Sequence, residues 1–197
     1  MAPCTLGVVL AGGRSSRMGR DKALLETGGE TFLCRAGRTL ALATMGHVAI
    51  SVAGTPARRI ETDWPLIPDA PDLLDRGPIA GIVSAMRWAA AKGGYDRIVT
   101  LPVDMPFVAS PSVAALIMPS QSASVAMTQG RPIPAFAVWP LCALGTIERL
   151  VRQDGVLALH SVQARLAVKR ISLDAFEPSQ FVNINTPEDF AAIAMQR

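Results

Sequence analysis

The chain contains, close to its amino terminus, the sequence Leu10-Ala11-Gly12-Gly13-Arg14-Ser15-Ser16-Arg17-Met18-Gly19-Arg20-Asp21-Lys22. It follows directly on an apolar run, residues 6–10, that is typical of a buried strand. The glycines therefore fall in a loop at the carboxyl end of a sheet, where open α/β folds bind their ligands. Adjacent glycines let backbone N–H groups approach an anion, and Arg17 and Lys22 add positive charge. The sequence predicts a loop that binds the phosphates of a nucleotide.

Two well-known phosphate-binding motifs do not fit this loop. A Walker loop has four residues between its glycines, whereas Gly13 and Gly19 enclose five. A dinucleotide-binding fingerprint has the pattern Gly-x-Gly-x-x-Gly, and Arg14 and Arg17 stand where its second and third glycines would be. The remaining alternative to a nucleotide site is a flexible, basic surface loop.

The whole loop resembles the signature Leu-Ala-Gly-Gly-x-Ser-x-Arg-Met-Gly-x-Asp-Lys of the MobA-type nucleotidyltransferases, the family of the molybdenum cofactor guanylyltransferases. Three later segments resemble the same family in the same order: Asp69 with Gly77-Pro78-Ile79-Ala80-Gly81, then Leu101-Pro102-Val103-Asp104-Met105-Pro106, then Asn183-Ile184-Asn185-Thr186-Pro187-Glu188-Asp189. The four segments span nearly the whole chain. The resemblance implies transfer of GMP from GTP to molybdopterin with release of pyrophosphate.

Three other functions remain open at this point. A sister cytidylyltransferase would use CTP with the same pterin, but its relatives usually read Leu-Ala-Ala-Gly, so Gly12 and Gly13 favour guanine. Sugar-1-phosphate nucleotidyltransferases are usually longer than this chain, so the chain length argues against that function. A regulatory protein that binds a nucleotide without turnover would have lost the lysine that binds phosphate or the aspartate that binds the metal. The resemblance assigns these roles to Lys22 and Asp104, and both are present.

Length and composition favour one globular domain over residues 1–197, because half of the residues (50%) are hydrophobic and 18% are charged. No apolar run reaches the length of a membrane span. The apolar stretch 6–11 is too short for a signal peptide and continues into the glycine loop, so we expect a cytoplasmic protein. The three cysteines are scattered and indicate neither a disulfide framework nor a metal cluster.

The charge pattern favours a small anionic substrate over nucleic acid. The net charge is only +3, and the basic residues form no long blocks. With three tryptophans, one tyrosine and six phenylalanines, the chain lacks the interleaved aromatic and basic residues of a single-strand binder. The resemblance implies GTP and molybdopterin as substrates, and molybdoenzymes or their chaperones as recipients of the product.

Strand-like and helix-like segments alternate along the chain, which predicts an α/β architecture with a mostly parallel, mixed sheet. The resemblance implies, more specifically, a single-domain, three-layer, Rossmann-like nucleotidyltransferase fold. The predicted strands are residues 6–10, 47–52, 65–67, 97–101, 123–128, 135–139 and 168–171, and the predicted helices are residues 31–45, 79–91, 111–118, 141–151 and 187–195. Ser110 and Thr186 precede prolines as predicted helix caps, and residues 129–134 are predicted to form a loop.

Nucleotidyl transfer depends mainly on positioning and charge neutralisation, with Mg²⁺ as the strongest single contributor. Asp104 follows an apolar strand at the same sheet edge as the glycine loop, and the resemblance makes it a Mg²⁺ ligand. The resemblance also gives Asn185, rather than Asn183, a share of the metal; the alternative is that both shape the turn before the last helix. The predicted catalytic residues are Arg17, Lys22 and Asp104.

The predicted nucleotide site extends along the sheet edge. Its members are Leu10, Ala11, Gly12, Gly13, Lys22, Ser51, Asp69, Gly77, Pro78, Gly81 and Asp104. Asp69 follows a strand, and its carboxylate is suited to accept the N1–H and amine of guanine. Gly77 and Gly81 carry no side chain at the start of the next helix, which would leave room for a base to stack there. A local helix cap by Asp72 or Asp75 is a compatible alternative. Ser51 departs from the asparagine that relatives often carry there, which predicts a weaker or water-mediated nucleotide contact.

Overall fold

The computed structural model describes residues 4–12, 21–53, 60–118 and 122–194. The strands are β1 (Thr5–Leu10), β2 (Glu26–Thr27), β3 (Glu30–Thr31), β4 (Val48–Val52), β5 (Leu66–Pro68), β6 (Arg97–Pro102), β7 (Ser124–Thr128), β8 (Arg131–Pro140) and β9 (Lys169–Ser172). The α-helices are α1 (Phe32–Ala43), α2 (Pro78–Lys92), α3 (Ser110–Ile117), α4 (Leu144–Arg152), α5 (Leu159–Arg165) and α6 (Pro187–Ala194).

Seven of these strands form one sheet in the order β5-β4-β1-β6-β8-β7-β9, and β2 and β3 form a separate short ribbon. Pairing is parallel from β5 through β4 and β1 to β6, and again between β7 and β9. β8 runs antiparallel to both β6 and β7. The mostly parallel, mixed sheet of the sequence prediction is confirmed. The carboxyl ends of β1, β4 and β6 consequently meet at one edge.

Helices cover both faces of the sheet. Along β1, Val9 packs into one core with side chains of α1, α3 and α6, and Val8 packs into a second core with α2, α4 and α5. This alternation follows from the period of two in a strand. Both valines are fully buried, and such burial contributes about 1.5–3 kcal/mol per side chain. The three-layer arrangement is therefore as predicted.

The predicted loop at residues 129–134 is wrong, because β8 already begins at Arg131. The connection is a turn at Gln129 and Gly130, which have positive φ angles of 49° and 72°. Two consecutive left-handed residues match the twist of a tight hairpin. Pro132 and Pro134 suggested a loop, but the pairing of β7 with β8 shifts register between Val125 and Ala126, and prolines are tolerated at such irregularities.

Two helix predictions also need correction. Ser110 is the first residue of α3 rather than its cap, a position that Ala109 occupies without a side-chain hydrogen bond. Helix α5 was not predicted, because its seven residues carry too short an apolar pattern. The Thr186 cap is confirmed: its Oγ1 accepts a hydrogen bond from the Asp189 N–H at 3.1 Å. Across the described ranges, no helix combines the length and apolar character needed to cross a membrane.

Candidate active site

A cleft of about 340 Å³ opens at the carboxyl edge of β1 and β6. Its volume lies in the range of small-ligand sites. The described residues that line it are Leu10, Ala11, Gly12, Asp21, Lys22, Pro78, Pro102, Val103, Asp104, Ile133, Pro134, Ala135, Asn183 and Asn185. The cleft therefore brings together many of the residues singled out in the sequence.

Three of the predicted residues are in direct contact in this cleft. The Lys22 ammonium lies 3.2 Å from Asp104 Oδ2 and 2.7 Å from Asn185 Oδ1. Lys22 opens a short 3₁₀ helix, Asp104 follows β6, and Asn185 precedes α6. We call these three residues the Lys22 cluster. Segments that are distant in sequence thus place one cation against two oxygen donors.

Backbone hydrogen bonds hold the two oxygen donors in place. The N–H of Ile184 donates to the Asp104 carbonyl oxygen at 2.8 Å, which ties the Asn185 segment to the end of β6. Asp189 Oδ2 then accepts the N–H groups of Asn185 and Thr186 at 2.8 and 2.9 Å. These two bonds, that of Asn185 first, hold the pKa of the Asp189 carboxyl below its ordinary value. The segment that carries Asn185 is therefore rigidly anchored.

The donor set suits a hard divalent cation. Asp104 Oδ2 and Asn185 Oδ1 both lie within 3.2 Å of the same ammonium nitrogen, so they converge on one point. Carboxylate and amide oxygens are typical ligands of Mg²⁺, which keeps water and substrate phosphate for the rest of its shell. Within the described part of the chain, no cluster of three or more His, Cys, Asp or Glu residues could hold a metal. A cation here would depend on few protein ligands.

The described part of the glycine loop lies beside this cluster. Leu10, Ala11 and Gly12 line the cleft, and the Ala11 N–H donates to the Ser51 carbonyl oxygen at 2.9 Å. Pro78 also lines the cleft, so the amino end of the 15-residue helix α2 faces it. The first turn of α2 has no acidic residue, which leaves its positive dipole end available to an anion. The other predicted loop residues, Gly13 and Arg17, lie outside the described residues.

Four predicted nucleotide residues do not line the cleft. Ser51 is only 2% exposed, and a Cβ on Gly81 would lie 2.4 Å from its Oγ. Gly81 therefore allows α2 to pack against the end of β4. Gly77 precedes α2 with a φ of +69°, a conformation that side chains disfavour. Asp69 follows β5, is half-buried, and its N–H donates to the Val52 carbonyl oxygen at 3.1 Å. Their ligand roles remain predictions.

A charge network anchors the loop that follows Asp69. Asp72 accepts two hydrogen bonds from Arg87, at 2.9 and 3.2 Å, and further hydrogen bonds from Arg152. Arg87 Nε also donates to Glu148 at 2.6 Å. These four residues, which we call the Asp72 network, connect the loop to α2 and α4. The bonds from Arg87 and then Arg152 hold the pKa of the Asp72 carboxyl far below its usual range.

One wall of the cleft was not predicted from the sequence. Ile133, Pro134 and Ala135 of β8 line it, and β8 lies on the other side of β6 from β1. They carry no chemical signature, and the first two were expected in a loop. The two prolines around Ile133 were the only available signal, since prolines within a strand mark an irregular segment.

Known proteins are similar to this chain in sequence or in fold. Residues 7–169 match the family described as the MobA-like NTP transferase domain. The chain is 38% identical to the molybdenum cofactor guanylyltransferase of Acidiphilium cryptum, with 94% of this chain and 91% of that protein covered. It is 37% identical to the molybdenum cofactor guanylyltransferase of Rhizobium johnstonii, with 93% and 88% covered.

Among solved structures, the fold is similar to molybdopterin-guanine dinucleotide biosynthesis protein A from Archaeoglobus fulgidus. The TM-score is 0.72 at 22% identity, and 96% of this chain and 97% of that chain are covered. The structural likeness establishes the fold, and the match over residues 7–169 together with the identity to the two relatives establishes the relationship. The chain belongs to the MobA-like NTP transferase family.

Proposed function

We propose that this protein is an enzyme that transfers GMP from GTP to molybdopterin and releases pyrophosphate. Two relatives that align with 94% and 93% of the chain carry the name molybdenum cofactor guanylyltransferase. The observation that carries the proposal is the Lys22 cluster inside a cleft of ligand size. It combines a phosphate-binding cation with oxygen donors for a metal, as nucleotidyl transfer requires.

In the proposed reaction, a phosphate oxygen of the acceptor attacks the α-phosphorus of GTP, and the bond to the leaving pyrophosphate breaks. Negative charge then accumulates on the phosphate oxygens, so positive groups around them accelerate the step. Lys22 supplies such a charge from the cleft, and Arg17 is proposed to add a second. Backbone N–H groups of Gly12 and Gly13 are proposed to bind the phosphates directly.

Asp104 and Asn185 are proposed to hold Mg²⁺, because their oxygens already converge on one cation. When bound, Mg²⁺ would neutralise phosphate charge as a Lewis acid. The residues themselves contribute rigidity: the Asp104 carbonyl and the Asp189 carboxylate fix the segment that carries Asn185. A preformed donor pair reduces the cost of ordering the site when metal and nucleotide arrive.

The base is proposed to bind beyond β1, on the side of β4 and β5. Asp69 follows β5 at the same sheet edge, and a carboxylate can accept both N1–H and the exocyclic amine of guanine. The Asp72 network holds the loop that continues from Asp69. The enzyme is further proposed to work in the cytoplasm, where GTP is supplied, and to pass its product to molybdoenzymes or their chaperones.

The test is a transfer assay with purified protein, molybdopterin and Mg²⁺, in which GTP, ITP and CTP are compared. We expect pyrophosphate release and a guanine dinucleotide product with GTP. A site that pairs with the guanine amine should favour GTP over CTP by about a hundredfold, with ITP between them. Faster transfer with CTP would instead identify a cytidylyltransferase, and no transfer with any nucleotide would overturn the proposal.

A further inference from the structure

The wall of the cleft that lies across β6 from β1 is an irregular part of β8. Residues 133–135, which we call the cleft segment, line the cleft with an isoleucine, a proline and an alanine. In the adjoining regular part of β8, Phe136 and Val138 face one core and Ala137 and Trp139 face the other. Ile133 packs on the same side as Phe136, so the alternation slips within the cleft segment.

The strand ladders leave Pro134 and Ala135 of this segment without regular partners. In β7, Val125 pairs with Ala137 and the next residue, Ala126, pairs with Ile133. Residues 134–136 of β8 therefore lie outside that ladder. On the other side, the register of β6 with β8 extends only from Arg97 to Thr100, whose partner is Ala137. The backbone carbonyls of the segment need other hydrogen-bond donors, because unpaired buried carbonyls are costly.

Two buried side chains supply these donors. Gln163 of α5, only 4% exposed, donates from Nε2 to the Pro134 carbonyl oxygen at 2.8 Å. Thr100 of β6, fully buried, donates from Oγ1 to the Ala135 carbonyl oxygen at 2.8 Å. Thr100 Oγ1 also accepts the indole N–H of Trp139 at 3.1 Å, which orients the hydroxyl. The shape of the cleft segment therefore depends on side chains that do not themselves line the cleft.

The place of the cleft segment in the sheet indicates which substrate it meets. The proposed base and phosphate positions lie at the ends of β5, β4, β1 and β6, whereas β8 follows β6 on the other side. The attacking substrate must approach the α-phosphate from the space that the nucleotide does not fill. The cleft segment forms a wall of that space and presents an apolar surface, which suits the face of a heteroaromatic ring.

We propose that Gln163 is a positioning residue that sets the acceptor end of the cleft by holding the Pro134 carbonyl. This inference rests on the proposed function, because the acceptor is taken to be molybdopterin. Gln163 acts through β8 and contacts neither substrate. Its effect should therefore appear in acceptor use and not in nucleotide binding.

The test compares Gln163→Met with Val162→Ala. Methionine has nearly the shape of glutamine but cannot donate to the carbonyl. The control removes buried volume from the neighbouring residue of α5, which is fully buried, and so destabilises the helix without removing this hydrogen bond. We expect Gln163→Met to raise the KM for molybdopterin about tenfold, because displaced positioning groups are costly. The GTP dissociation constant should stay unchanged, and Val162→Ala should change neither.

An unchanged KM for molybdopterin in Gln163→Met, or an equal loss of GTP affinity, would overturn the inference. If Gln163→Met does not fold, Thr100→Val removes the other donor and Thr100→Ser restores it, with the same expected difference in acceptor KM.

Hydrogen exchange of residues 131–140 gives a readout that does not depend on the substrate. We expect faster exchange there in Gln163→Met than in Val162→Ala, and equal rates would contradict the inference. Absence of transfer in the parent protein would instead count against the proposed function.

Discussion

The Asp72 network and the Lys22 cluster both pair opposite charges, but they differ in what surrounds the charges. In the Asp72 network, two arginines bind one aspartate, and one of them also binds a glutamate, across neighbouring helices and a loop. The Lys22 cluster joins three segments at the sheet edge, beside a cleft of about 340 Å³. Of the two, the Lys22 cluster is the candidate functional site, because the cleft beside it leaves room for a ligand.

The largest effect is expected from Asp104→Asn. The substitution keeps the shape of the side chain but removes the charge proposed to hold Mg²⁺, so kcat should fall by about a hundredfold or more. GTP binding measured without metal should change little, which provides the internal control. Transfer assays and calorimetry give the two quantities. Normal Mg²⁺-dependent turnover would mean that the metal binds elsewhere.

Lys22→Ala is expected to weaken GTP binding by about tenfold to a hundredfold, since a hydrogen bond to a charged group is worth roughly 1.5–3 kcal/mol. The Lys22 side chain is 17% exposed, and the protein should still fold. Calorimetric titration with GTP measures the effect, and Lys92→Ala, at the exposed end of α2, serves as the matched control. Equal GTP affinities in the two variants would remove Lys22 from the phosphate site.

Gly81→Ala tests the packing beneath the loop that the Asp72 network holds. Its new Cβ would lie 2.4 Å from Ser51 Oγ, and overpacking of this kind costs about 1–3 kcal/mol. Urea denaturation should show this loss, and adding Ser51→Ala should recover part of it. In α4, Gly145→Ala meets nothing within 4 Å, so this control should be neutral or slightly stabilising. Similar curves for both alanine variants would refute the close contact.

The smallest effect is expected from Asp72→Asn, about 1 kcal/mol of unfolding free energy, because solvent screens the partly exposed network. Folding lowers the pKa of Asp72, so its contribution is complete above the ordinary aspartate pKa and is lost as the pH falls towards the lowered value. The variant should therefore lose less stability than the parent on acidification. Asp154→Asn, which breaks a pair with Arg165 at 3.8 Å, is the control. Parallel pH curves for Asp72→Asn and the parent would contradict the assigned role.

Part of the candidate site could be predicted because its chemically important residues lie in short, recognisable segments of the sequence. The glycine loop after β1, Asp104 after β6 and Asn185 before α6 each follow a recognisable local pattern. Parallel strands end at a common edge, so these segments were expected to meet there. The contacts of Lys22 agree with that expectation, although the metal and nucleotide roles remain predictions.

The apolar alternation and the turn residues of this chain are sufficient to specify an α/β fold and the order of most of its elements, because these signals act over a few neighbouring residues. They do not specify the shape of the cleft. The wall at Pro134 depends on Gln163 and on Thr100, which come from other elements. The strand that they support there replaces the loop that two prolines suggested. Such contacts form only when distant segments pack together. A buried carbonyl must accept a hydrogen bond, and its donor here comes from an element that is distant in the sequence.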